Sequence, residues 1–337
     1  LLSSDMKPII AISMGDFNGI GPEVVLKFLY QSDLSTSAPL ILGAKSVLDF
    51  YQNSINSDLK FHRVSKSSDA QPGRINLLET DSVLKPDIQP GVISMPGGRA
   101  AMRAVEYGIN SCMAGSTHAL VTAPISKEAI HKAGYGYPGH TEFLAEKTNT
   151  ESFMMILASE SLRVGLLTGH IPLRIVSKSI SVELILQKLV ILNRSLIENF
   201  GIEHPKIAVM GLNPHAGDGG VLGTEEEEII KPALMEAKAR NISADGPFPA
   251  DGFFGSRKQD HYDGILATYH DQGLIPFKAL SFGNGVNFTA GLPIIRTSPD
   301  HGTAYDIAGQ NKAKPDSFAA AYNLAVKMAK LKLEKSV

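Results

Sequence analysis

Short apolar runs alternate with amphipathic stretches along most of this chain. Lys7–Ser13, Ala119–Thr122, Val164–Leu167, Ile207–Met210 and Gly264–Ala267 have the length and continuity of buried strands. Helical patterns lie between them. One runs from about Pro22 to Tyr30, with the proline in the first turn, where its missing N–H does no harm. Another is capped by Ser126 and runs to Ala133, and a third, Val182–Phe200, has Ser181 as cap and Gly201 as terminator. Glu225–Arg240 opens on four acidic residues, where the helix dipole favours negative charge, and Ser317–Leu331 is the last helix. Such alternation predicts a largely parallel, helix-covered sheet. Ser152–Ala158 and Leu162–Leu167 lie too close together for a crossover helix, so an antiparallel hairpin is expected there and the sheet should be mixed.

A chain of 337 residues is too long for one small core and suits two domains or one large α/β unit. Its 43% hydrophobic and 20% charged residues are ordinary for a globular enzyme. The net charge of −2 argues against a nucleic-acid surface, which carries a basic excess. No apolar run reaches transmembrane length and no basic-then-apolar leader is present, so no membrane partner is expected. The single Cys112 excludes an internal disulfide framework and fits a reducing compartment, which makes the cytoplasm the expected location. Leu1–Asp5, ahead of Met6, reads as an extension.

The strongest chemical signal is three histidines, each just after a strand-like run: His170 in Leu-Thr-Gly-His-Ile-Pro, His215 in Asn-Pro-His-Ala-Gly and His270 in Tyr-His-Asp-Gln-Gly. Sites in open α/β sheets are built at the carboxyl ends of strands. Three imidazoles delivered there would bind one divalent metal and leave a coordination position for substrate. Such a donor set suits zinc best, with cobalt or magnesium as the other candidates. Singly, each histidine reads as a loop residue bonded to a carbonyl; the repetition favours a metal.

Other segments carry weaker signals. Gly15–Glu23 is a glycine-rich strand-to-helix turn that would either hold an anion or simply be tight, and it lacks the dinucleotide G-x-G-x-x-G spacing. His140 and Thr141, behind Gly139, offer donors to a phosphate or carboxylate; alternatively Thr141 caps the next helix. Lys278, Asn287 and Arg296 would together make a phosphomonoester pocket, Arg296 being a charge inside an apolar run that needs a partner. The competing expectation for Arg296 is an ion pair with Asp300 or Asp306. Asp251 would orient a ligand imidazole, touch substrate or act as base, and Asp251 and Lys278 are the candidate catalytic residues. Asp300–Gly309 reads as a ligand loop of small residues.

Gly-Ile-Gly-Pro-Glu (19–23), Thr-Ala-Pro-Ile-Ser-Lys (122–127), Gly-His-Thr-Glu (139–142), Asn-Pro-His-Ala-Gly (213–217) and Tyr-His-Asp-Gln-Gly (269–273) jointly resemble the 4-hydroxythreonine-4-phosphate dehydrogenase family of pyridoxal phosphate biosynthesis. The likeness runs from about Ile9 to Gly309. Two departures are the Ser-Met-Gly-Asp-Phe-Asn run at 13–18 and Asp218, where the family more often has Thr-Pro-Gly-Asp-Pro-Ala and Glu. His301–Gly309 is also similar to the adenosine-contacting loop of isocitrate and isopropylmalate dehydrogenases. The resemblance implies two α/β/α domains with mixed sheets, like isocitrate and isopropylmalate dehydrogenases, and an active site in the interdomain cleft. The first domain is expected at 1–130 plus 290–337 and the second at 131–289.

Residue by residue, the resemblance implies metal ligands at His170, His215 and His270. Substrate contacts fall on His140, Thr141, Lys278, Asn287 and Arg296, and NAD or NADP contacts on His301, Gly302, Thr303, Ala304 and Asp306. It further implies a homodimer with a shared site, and oxidation of a phosphorylated hydroxy acid at C3 followed by β-decarboxylation. The nearest rival is a sister enzyme for erythronate- or threonate-4-phosphate. A phosphate-handling acyltransferase is the rival from another class, and it leaves the 301–309 loop without a role.

Overall fold

A computed structural model describes residues 7–80, 87–281 and 283–335; the extension read at Leu1–Asp5 lies outside them. The chain divides into two compact units, 1–151 with 292–337, and 152–291.

The first unit begins with β1 (Ile9–Ser13), α1 (Gly21–Gln31), β2 (Ala38–Leu42), α2 (Lys45–Ile55), β3 (Phe61–Arg63) and β4 (Ile75–Leu78). It continues through α3 (Met95–Met113), β5 (Ala119–Thr122), α4 (Lys127–Lys132) and α5 (His140–Lys147). The second unit holds β6 (Met154–Ala158), β7 (Arg163–Leu166), α6 (Val176–Ser179), α7 (Val182–Glu198), β8 (Lys206–Met210), α8 (Lys231–Ala239), β9 (Ser243–Phe248), α9 (Ala250–Gly255), β10 (Gly264–Ala267), α10 (His270–Ser281) and β11 (Val286–Ala290). The chain then returns to the first unit as β12 (Arg296–Pro299) and α11 (Asp316–Glu334).

Strand order in the first unit is β3-β4-β2-β1-β5-β12, and every described pair is parallel. The second unit runs β11-β6-β7-β10-β8-β9. Here β11–β6 and β6–β7 are antiparallel, whereas β7, β10, β8 and β9 are parallel neighbours. The β6–β7 hairpin is as expected, and mixing is confined to the second unit. Parallel strands need crossover elements and covered faces, which is why these strands read as continuous apolar runs. Ile10, Ile12, Leu120, Ile265 and Leu266 are all fully buried.

The local signals for caps hold. Ser126 Oγ accepts from Ala129 N at 3.2 Å and Ser181 Oγ from Leu184 N at 3.1 Å. The helix expected over Glu225–Arg240 is not one regular helix. Residues 226–230 form a π-turn in which Lys231 N–H reaches back to Glu226 C=O, and α8 follows. Pro232 supplies the reason: it has no N–H and its ring crowds the carbonyl four residues back, so the widened turn relieves the clash.

The segment 131–151, expected with the second unit, packs in the first. Phe143 and Leu144 are buried in its core beside Tyr135 and Tyr137, and Phe143 meets the Tyr137 ring at 5.1 Å, edge-on. Phe143→Ala should therefore destabilise the protein by about 3–5 kcal/mol. Urea unfolding measures this, and a loss below about 1 kcal/mol would place Phe143 outside the core.

Candidate functional site

In the second unit, β7, β10 and β8 are adjacent and parallel, so the segments leaving their carboxyl ends emerge at one edge. His170 follows β7, His270 opens α10 after β10, and His215 follows β8. Asp251, exposed in the first turn of α9, follows β9 at the same edge. The His170 and His270 rings lie 5.4 Å apart between centroids, tilted by 45°. Two imidazoles sharing a tetrahedral zinc have centroids roughly 5 Å apart, so this pair fits a common cation. Both rings line a pocket of about 280 Å³ with Tyr269, Asp271, Leu173 and Val176. Asp271 Oδ1 lies 2.7 Å from His270 Nδ1. With Nδ1 engaged by this carboxylate, Nε2 is the ring atom left for another partner.

His215 follows β8 on a turn of its own. It is exposed and starts a run of five residues, 215–219, with left-handed backbone. Among the described residues, no group of three or more His, Cys, Asp or Glu side chains is arranged to hold a metal ion. Lys278 is exposed near the end of α10. Asn287, on β11, donates Nδ2 to Met155 Sδ at 3.4 Å. Its buried Oδ1 has no hydrogen-bond partner among the described residues.

The first unit carries the second group. Arg296 opens β12 and is buried, and β12 pairs with β5. Its Nε and Nη2 donate to Thr122 Oγ1 at 3.1 and 2.7 Å. Burial pulls the guanidinium down to about 10, and the Glu142 charge acts in the opposite sense. His140 is the first residue of α5, behind Gly139, and Thr141 is the second. Thr141 thus lies inside the helix, and the alternative that it caps α5 fails, because the cap position is Gly139 and its backbone already provides the turn. The enclosed His140 Nε2 has no partner among the described residues. Burial, and then the Arg296 charge, hold the His140 imidazole well below the usual histidine range, so it is neutral. A buried guanidinium, a neutral imidazole and a helix N-terminus together suit an anion.

The 301–309 loop is tied to the β1–α1 turn. Ile20 N–H donates to Thr303 C=O at 2.9 Å, and Tyr305 Oη donates to Asp16 Oδ2 at 2.7 Å. Asp16 is fully buried, and burial raises its carboxyl above the usual range despite the Tyr305 bond. Gly15 must be glycine: its φ is +69° and a Cβ would collide with the Pro124 carbonyl. The turn's Gly19 and Ile20 N–H groups bond within the protein, which favours the tight-turn reading of 15–23 over an anion site. Glu23, buried, pairs with Lys27 at 2.8 Å. On the loop, Gly302 and Asp306 are exposed, and the buried His301 Nε2 has no partner among the described residues. Beside the turn, Met14, Phe17, Leu42, Val47, Pro96 and Arg99 line an apolar cavity of about 170 Å³. The cavity walls suit an apolar ring system, and the His301 nitrogen suits a separate polar contact.

Sequence reasoning missed the roles of Thr122, Asp16, Tyr305 and Asp271. Thr122 lay inside a motif already singled out, and Asp271 directly follows a candidate ligand. The Asp16–Tyr305 bond spans 289 positions and leaves no local signal.

Comparison with known proteins places this geometry. The family model "Pyridoxal phosphate biosynthetic protein PdxA" matches residues 35–325. A 4-hydroxythreonine-4-phosphate dehydrogenase of Bacteroides thetaiotaomicron is 45% identical, the alignment covering 94% of this chain and 87% of the relative. A D-threonate 4-phosphate dehydrogenase of Pectobacterium atrosepticum is 39% identical over 96% of this chain and 100% of the relative. A solved structure of 4-hydroxythreonine-4-phosphate dehydrogenase from Klebsiella pneumoniae superposes with a TM-score of 0.88 at 38% identity, covering 97% of this chain and 100% of that one.

The neutral, enclosed His140 has a consequence for stability. Unfolded, it takes up a proton near pH 6.5; folded, it does so only at lower pH. Its contribution is therefore complete above about pH 6.5 and declines as pH falls toward the folded-state value. Thermal unfolding between about pH 5 and 7.5 should show a steeper acid loss for wild type than for His140→Asn. Equal slopes would contradict this.

Proposed function

The chain belongs to the pyridoxal phosphate biosynthetic protein PdxA family, and from that premise we propose that it is a metal-dependent, nicotinamide-linked dehydrogenase of 4-phosphooxy-threonine. The reaction is oxidation at C3 followed by β-decarboxylation to 3-amino-2-oxopropyl phosphate. The observation that carries the reading is the close His170–His270 pair at the ends of neighbouring parallel strands.

His170 and His270 would hold the divalent metal, zinc by the chemistry of the donor set, with His215 as third ligand. When bound, the metal would lower the pKa of a substrate hydroxyl and supply positive charge where negative charge develops as carbon dioxide leaves. Asp271 keeps His270 in the tautomer that ligates through Nε2. NAD or NADP, accepting hydride when bound, would be held by His301, Gly302, Thr303, Ala304 and Asp306, whose loop the Tyr305–Asp16 bond fixes.

His140, Thr141 and Arg296 bind the phosphate ester. Arg296 supplies a fixed, dehydrated charge, and neutral His140 adds a donor without adding a second cation. Lys278 and Asn287 complete the substrate contacts, Asn287 offering its unsatisfied Oδ1. Asp251 and Lys278 are the candidates for proton transfer.

A homodimer fits the surface around His170. Leu173 is 71% exposed, and Ile171, Ile175 and Ile275 are also exposed, an apolar set suited to cover by a second copy. A D-threonate 4-phosphate dehydrogenase is the second reading, because a relative of that name spans this chain at 39% identity.

Two measurements test the proposal. His215→Ala should stay folded and lose turnover by at least about 100-fold, and full activity in a metal-stripped assay would defeat the metal's role. Side-by-side NADH or NADPH formation from 4-phosphooxy-threonine and threonate-4-phosphate should favour the former; the reverse order selects the second reading.

A further inference from the structure

Beneath the three histidine segments lies a chain of buried side-chain hydrogen bonds that none of the roles above uses. Thr168 Oγ1 donates to Thr268 C=O at 2.7 Å. Thr268 donates its N–H and its hydroxyl to Gln272 Oε1 at 2.8 and 2.9 Å. Gln272 Nε2 in turn donates to Gly211 C=O at 2.5 Å. One residue further on, Glu226 Oε1 accepts from Leu212 and Asn213 N–H at 2.7 and 2.8 Å, and Glu226 Oε2 from Asn213 Nδ2 at 2.9 Å. Thr168, Thr268, Gln272 and Glu226 are 6%, 0%, 9% and 1% exposed, so water does not substitute for these bonds.

The register of this frame is regular. Thr168, Thr268 and Asn213 each stand two residues before one of the three histidines, His170, His270 and His215. Each histidine segment is thus clamped at the same offset, and the clamps are joined across β7, β10 and β8. Only an amide of glutamine length does what Gln272 does, accepting at Thr268 and donating to Gly211. A glutamate would face the Gly211 carbonyl with an acceptor, and a leucine would leave the buried Thr268 N–H without its acceptor. Glu226 reaches its position because the π-turn turns it inward. Gly217, at φ +82°, leaves room for it, since a Cβ there would lie 2.7 Å from Glu226 Oε2.

We propose that Thr168, Thr268, Gln272 and Glu226 are positioning residues, a buried hydrogen-bond frame that fixes the three histidine-bearing segments and so the affinity and coordination geometry of the metal. This rests on the metal reading above. Backbone pairing already holds β7, β10 and β8 together, so the frame's added effect is on the segments beyond the strand ends. Removing a link leaves the sheet and loosens the ligands.

The test is metal binding by the full-length protein. Zinc affinity is measured by competition with a chromogenic chelator, and coordination by the visible absorption of the cobalt(II)-loaded protein. Thr168→Val and Gln272→Leu should each bind zinc about tenfold or more weakly and shift the cobalt bands, while circular dichroism of the metal-free proteins stays native. Thr168→Ser, which keeps the hydroxyl, should restore wild-type affinity and spectrum. If Gln272→Leu does not fold, the Thr168 pair decides alone. Wild-type affinity and spectrum in Thr168→Val, with His170→Ala and His215→Ala both impaired, would reduce the frame to a purely structural role. Unimpaired zinc binding by His170→Ala and His215→Ala would instead overturn the metal reading itself.

Discussion

Parallel pairing of β7, β10, β8 and β9 is the constraint on which the second unit's chemistry depends. Strands of four to six residues are consumed by the core, leaving only the residues just past their ends for reactive groups. Parallel alignment sends those ends to one edge. The same alignment leaves the last backbone carbonyls and amides without ladder partners. Thr168, Thr268, Gln272 and Glu226 supply partners, so satisfying buried polar groups and holding ligand-bearing segments are one task.

The first unit solves a different problem. The Arg296 guanidinium is buried and donates to the Thr122 hydroxyl, and burial lowers its affinity for its proton. The neighbouring imidazole responds by staying neutral, which avoids a second buried cation at the N-terminus of α5. The Asp16–Tyr305 bond joins two loops far apart in the chain without involving charge on the tyrosine, whose phenol burial pushes well above the usual range.

Much of this was legible in the sequence because it is local. Continuous apolar runs marked β5 and β10 to the residue, serine caps marked α4 and α7, and a short connection marked the β6–β7 hairpin. The histidines stood out because each follows a strand. The pattern did not carry what is set at a distance. Pro232 broke a helix whose acidic start suggested dipole stabilisation, while Glu226 turned inward to serve backbone amides. The segment 131–151 joined the first unit because Phe143 and Leu144 bury into a core cluster with Val105, Ile109, Leu120 and Ile130.

The left-handed run at 215–219 bears on dynamics. Three of its residues, His215, Ala216 and Asp218, have a Cβ and are held in a conformation that disfavours it, which makes this turn expensive to keep ordered relative to the strand before it. It is therefore the natural place for sub-global opening, in which one imidazole swings free while β8 stays intact. Amide deuterium uptake would then be faster across this turn than along β8.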